Sequence, residues 1–184
     1  MQTKYARTQQ LLAEMVTKKV VPGVSYAIFD GSKTIRKVMG MAEVTPRSIP
    51  LRDGMQYDLA SLTKVVGTVP VIALFLQAGA LHLDDPVRKF LPEINNAAVK
   101  VRHLITHTAA IEGYIPHRNE LPADQLLDGL LTMERIGPNL GKNILYTDIG
   151  FIYLGLIAER IWGQPIQVLS QRHIFQPLGM TRTT

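Results

Sequence analysis

Two short stretches hold the residues whose types and spacing bear on chemistry. In "YDLASLTKVVGT" Ser61 stands one helical turn ahead of Lys64, and in "LYTDIGFIYLG" Tyr146 stands two residues before Asp148. Residues three apart on a helix share a face, so the Lys64 amine can lie beside the Ser61 hydroxyl. A serine hydroxyl is a poor nucleophile until a neighbour takes its proton, and lysine can do so only where burial or nearby positive charge lowers its pKa. At a helix N-terminus Ser61 would also aim its backbone N–H at a developing oxyanion, with the helix dipole assisting. A phenol beside an ammonium has a lowered pKa and can shuttle protons between nucleophile and leaving group. The plain alternatives are that Ser61 and Asp148 cap helices, Lys64 reaches solvent and Tyr146 packs as an aromatic. Of the serines at 25, 32, 48, 61 and 170, only Ser61 has lysine three residues on.

Other chemistries fit less well. His103 and His107 have a metal-binding spacing, but Leu104 stands where a zinc-protease motif needs Glu, and no third ligand follows. Gly23-Val24-Ser25-Tyr26-Ala27 is one glycine short of a nucleophile elbow and lies in an expected strand. Asp84-Asp85 precedes Pro86 and reads as a turn rather than an acid/base dyad. No glycine-rich phosphate loop is present, and no cofactor or metal is expected. The absence of cysteine excludes disulfides, zinc–thiolate sites and a cysteine nucleophile. Net charge is +5, with Lys and Arg spread along the chain and no basic block interleaved with aromatics, so no nucleic-acid partner is expected.

The elements that must position these residues follow from periodicity. With 184 residues, 46% hydrophobic and 19% charged, the chain can bury a core. Leu11, Leu12, Met15 and Val16 suggest an N-terminal helix with Thr3 as its cap. Val24 to Phe29 and Thr34 to Met39 are β-rich runs around Asp30-Gly31-Ser32, a hairpin signal. Residues 41 to 55 read as an irregular connection. The apolar run Val65 to Leu81 is interrupted by Gly67, Thr68, Pro70, Gln77 and Gly79, which predicts a buried helix bent or broken near Pro70 rather than a membrane span. Helical spacing recurs over Asp124–Arg135 and Ile149–Trp162, and Pro165 in a first turn opens a last helix through Phe175. The polar stretch of residues 1–19 lacks the apolar core of a secretory signal, so the expected setting is the cytoplasm, or outside it if an export signal is absent from this sequence.

Ser61-Leu62-Thr63-Lys64 followed by Tyr146-Thr147-Asp148 resembles the serine β-lactamase and penicillin-binding superfamily, nearest its class C branch of D-alanyl-D-alanine peptidases and esterases. "GALHLDDPVRKFLP" (79–92), "VRHLITHTAAI" (101–111) and "FQPLGMTRTT" (175–184) are similar to further segments of that branch, in the same order. The resemblance implies an α+β fold: one domain over 1–184, with helix, hairpin and connection in 1–60 and a helical region in 61–184. It implies acylation of Ser61 by a small ester, acyl-peptide amide or β-lactam, with Lys64 and Tyr146 sharing the proton work. Which of those two is the base stays open.

The sequence departs from the family pattern twice. Asp148 stands where the family usually has asparagine, and an ionised aspartate accepts hydrogen bonds but donates none. Paired with Lys64 it favours the ammonium and moves the base role toward Tyr146, and because it cannot donate to a substrate amide carbonyl the site is expected to favour ester-like substrates. The family's Lys-Thr-Gly or His-x-Gly strand is not found, so the chain reads as an N-terminal portion completed by further sequence or another polypeptide. The alternative is a binding or regulatory module that keeps the fold without turnover.

Overall fold

The computed structural model describes residues 4–94, 96–113, 115–132 and 136–184. Its described residues form six α-helices and one three-stranded antiparallel sheet, an α+β arrangement as expected. The chain divides into two compact units, Met1–Asp58 and Leu59–Thr184.

The first unit holds helix α1 (Ala6–Thr17) and strands β1 (Gly23–Asp30), β2 (Lys33–Glu43) and β3 (Ile49–Pro50), ordered β1-β2-β3. Val24, Tyr26 and Ile28 alternate with exposed neighbours along β1, and β2 sets Met39, Lys37 and Ile35 opposite them. Asp30 pairs with Lys33, leaving Gly31-Ser32 as a two-residue turn in which Gly31 takes a left-handed φ of +60°. Gly40 is required by its surroundings: its φ is +83°, and a Cβ there would stand 2.4 Å from the Pro22 carbonyl oxygen.

Two expectations need correction here. Residues 41 to 55 are not wholly irregular, because β2 runs on to Glu43 and β3 pairs with it. The strand is too short, and too close to Pro46 and Pro50, to carry an alternating signal. Leu11 is turned to solvent, 60% exposed, while Leu12, Met15 and Val16 are half-buried. The expected cap Thr3 lies outside the described residues.

The second unit is helical. Its core gathers Val71, Ile72 and Phe75 of α2 (Val69–Gln77), Val101 and Leu104 of α3 (Val101–Ile105) and Leu169 of α6 (Ile166–Ser170) around α5 (Asp148–Trp162). From α5 itself come Phe151, Leu154 and Ile157, and Gly150 lets α3 approach so closely that an added Cβ would touch the Leu104 carbonyl at 3.4 Å. Helix α4 (Ala123–Thr132) presents Leu130 and Leu131 to this core, and the expected residues 133–135 of that helix lie outside the described residues.

The interruption expected near Pro70 takes a specific form. The chain is helical from Leu62, widens into a π-helical turn over Lys64–Thr68 and narrows into α2, with Pro70 in its first turn. Proline offers no N–H to the preceding turn, so a carbonyl there loses its usual partner and the wider spacing is accommodated. A second π-helical turn, Gln171–Phe175, continues α6, and Pro165 is the residue before that helix rather than part of its first turn. Among the described residues no helix is long and apolar enough to cross a membrane.

Candidate active site

Ser61 heads the helical segment that carries Lys64. Ala60, in the left-handed region at φ +45°, turns the chain into it, and the Lys64 N–H closes the first turn on the Ser61 carbonyl at 3.1 Å. Tyr146 lies in the loop before α5, and Asp148 is the first residue of that helix. The cap is Thr147, whose hydroxyl accepts from the Ile149 N–H at 3.3 Å. The reading of Asp148 as a cap is thereby corrected, and its carboxylate is available for a side-chain partner.

The four residues singled out in the sequence stand together. The Ser61 hydroxyl oxygen accepts from Lys64 Nζ at 3.0 Å and from the Tyr146 hydroxyl at 2.6 Å, and Lys64 Nζ pairs with Asp148 Oδ1 at 2.6 Å. The environment is asymmetric. The Lys64 side chain is 14% exposed, whereas that of Asp148 is 71% exposed.

The two proton carriers are displaced in opposite directions. Burial pulls the Lys64 ammonium down, but hydrogen bonds to Asp148 and Tyr146 and the attraction of both outweigh it, leaving Lys64 above its ordinary 10.5. Tyr146 is held below its ordinary 10.0, first by its hydrogen bond with Lys64 and then by that with Ser61. Lys64 is thus kept charged, and the phenol is the group brought toward ionisation.

Cavities flank this cluster. One of about 320 Å³ runs from Lys64 and Asp148 along Phe151, Ile152 and Leu156. Another of about 310 Å³ opens beside Tyr146 and Asp148 and is walled by Ile115, Leu126 and Ile152. Both join the polar cluster to apolar walls.

The remaining sequence candidates lie elsewhere or play other parts. His103 Nδ1 accepts from the Lys100 N–H at 3.1 Å, and no group of acidic, histidine or cysteine side chains among the described residues is arranged to hold a metal. Asp84 pairs with Lys100 and Arg102, and Asp85 with Lys89, so the two carboxylates serve ion pairs. Ser25 is in β1. Sequence reasoning missed Thr147 as the cap and Phe151, whose ring stands 5.9 Å from Lys64 Nζ. The signal for Phe151 was its place three residues after Asp148 on the same helix face.

A serine at a helix start, joined to a lysine and a tyrosine, is an arrangement chemically suited to nucleophilic acyl transfer. The chain belongs to the beta-lactamase family, whose model matches residues 8–184. It is 28% identical to a putative D-alanyl-D-alanine carboxypeptidase of Escherichia coli (strain K12), over 88% of this chain and 43% of that protein. It is 27% identical to the esterase EstB of Burkholderia gladioli, over 89% of this chain and 46% of that protein. A class C beta-lactamase solved in complex with cefoxitin shares the fold, with a TM-score of 0.81 at 24% identity, over 98% of this chain and 51% of that one. The chain therefore spans less than half the length of these curated relatives.

Proposed function

We propose that this chain carries the nucleophilic machinery of a serine hydrolase that acts through an acyl-Ser61 intermediate. The observation that carries the reading is the Ser61 hydroxyl held at once by Tyr146, at 2.6 Å, and by Lys64, at 3.0 Å. In the neutral pair the phenol donates to the serine; once Tyr146 ionises, the bond reverses and the phenolate accepts the serine proton. Ser61 Oγ then bonds to the substrate carbonyl carbon and the carbonyl electrons move onto oxygen, which the Ser61 N–H at the helix start is suited to stabilise. Tyr146 passes its proton to the leaving group as that bond breaks, and attack by water on the ester so formed returns Ser61. Lys64 stays an ammonium throughout and favours the phenolate, so Tyr146 is the base.

The proposed substrates are small acyl compounds, with simple esters ahead of β-lactams and acyl-peptides. Asp148 supports that order, because its carboxylate accepts hydrogen bonds and cannot donate one to a substrate amide carbonyl. The names of the two curated relatives, a carboxypeptidase and an esterase, agree with acyl transfer in general.

The test is to incubate the intact protein with a nitrophenyl ester and with a fluorescent penicillin and to read the intact mass. The expected result is an acyl adduct, formed faster from the ester and lost in Ser61→Ala. No adduct from either compound would overturn the reading in favour of a binding module.

A further inference from the structure

Tyr146 must hold its phenol to within a fraction of an ångström of Ser61, yet it sits in a loop rather than on a helix or strand. The residue that secures it is His107. On one side of Tyr146 the Leu145 N–H donates to the His107 carbonyl at 2.8 Å. On the other side the Thr147 backbone lies beside the imidazole and weakly favours its protonated form. Between them the imidazole lies against the Tyr146 ring, centroids 4.5 Å apart and planes inclined by 32°, while Phe151 stacks with the same imidazole at 5.1 Å. His107 holds this place with a φ of +55°, a left-handed conformation uncommon outside glycine and held only where the surroundings determine it.

From this geometry we infer that His107 is the positioning residue of Tyr146: it holds the backbone just before the tyrosine and the face of its ring, and so sets the distance from the phenol to Ser61 and Lys64. Nδ1 is buried without a partner, so a proton there would have no acceptor. The doubly protonated imidazole would carry that unpaired proton. Burial first and the Lys64 ammonium second hold the imidazole below its ordinary 6.5, against the weaker pull of Asp148 and the Thr147 carbonyl. Lys64, Asp148 and Tyr146 are the ionisable groups that act on it, and His107 stays a neutral plate while Tyr146 titrates.

The kinetic arm of the test rests on the proposed function, and a spectroscopic arm does not. In the intact protein, ultraviolet difference titration against a Tyr146→Phe background isolates the ionisation of Tyr146. In His107→Leu that ionisation is expected to move up toward the ordinary tyrosine value, because the phenol is no longer held at Lys64. With a nitrophenyl ester, kcat/KM is expected to fall ~10–10²-fold, as small misplacements of reacting groups do. KM should change by less than about twofold, and the rising limb of the pH profile should shift to higher pH with the titration.

His107→Phe, which keeps the ring wall against Tyr146 and Phe151, and His107→Gln, which keeps a polar side chain beside Thr147, are each expected to recover part of the loss. A folded Leu variant with the wild-type titration, or kcat/KM within about twofold of wild type, would overturn the assignment. Should the Leu variant not fold, a Phe variant with unshifted titration would do the same. If the wild-type protein never reacts with the ester, the proposed function fails and the titration still decides the role of His107.

Discussion

Replacing Asp148 by asparagine changes one atom of the site and separates two of its effects. The carboxylate raises Lys64 through its hydrogen bond and charge, and its negative charge also opposes ionisation of Tyr146. In Asp148→Asn the ammonium acts on the phenol without that opposition, so Tyr146 should ionise at still lower pH. The rising limb of kcat/KM against pH, measured with a nitrophenyl ester, is therefore expected to move to lower pH. The new amide can donate to a substrate carbonyl, so β-lactam acylation should accelerate by at least severalfold; an unchanged acylation rate and an unmoved limb would contradict this account of Asp148. At this scale the sequence was informative about identity and weak about role. Ser61 and Lys64 stood out because three-residue spacing forces a shared face. Thr147 and Asp148 are both good capping residues, so their order of duty was hidden until the Ile149 N–H was seen to choose Thr147. The part played by His107 depends on a left-handed backbone angle that no spacing rule reports.

At the scale of elements, the start of α5 bears the most weight, since Tyr146 and Asp148 flank its cap. Thr147→Ala removes the one side-chain acceptor at that end and is expected to cost about 1 kcal/mol of stability, read from urea unfolding. Activity should fall beyond what the lost folded fraction explains, because the loop that carries Tyr146 loses its anchor; a stability loss below about 0.3 kcal/mol would show that the cap is dispensable. The hairpin and α5 were legible in advance because alternation and 3.6-residue periodicity are strong over their lengths. β3 was not, being two residues long. Pro70 signalled a disturbance in the apolar run, but the same pattern suits a kinked α-helix and a π-helical turn, and only the hydrogen bonds separate them.

At the scale of the whole molecule, α5 is the member on which the helical unit is built, and Tyr153 is the one buried phenol among that unit's described residues. Its hydroxyl donates to the Leu130 carbonyl, it is 2% exposed, and burial pushes its pKa up to about 12 from the ordinary 10.0. A folded-state pKa above the unfolded one means that the stabilisation is complete below pH 10 and drains away as pH rises from 10 to about 12. Stability measured by thermal unfolding should fall across that window, and Tyr153→Phe should flatten the fall while costing about 1 kcal/mol at neutral pH through the orphaned carbonyl. A variant that loses stability as steeply as wild type would rule Tyr153 out as the cause. The architecture as a whole was legible through a series of short motifs in order, more than through any one periodicity, since many folds share amphipathic helices and few share that order. The π-helical turn between Lys64 and Thr68 has one more consequence, which concerns insertions and deletions. It holds about one residue more than an α-helical turn would, so a one-residue deletion within residues 65–68 can be taken up by narrowing to α-helix with Ser61 and Lys64 kept on their face, whereas the same deletion inside α2, with Val71, Ile72 and Phe75 holding their places in the core, would swing them by about 100° around the helix axis, away from Tyr146. The π-helical turn is therefore the place in this segment where a change in residue number disturbs the site least.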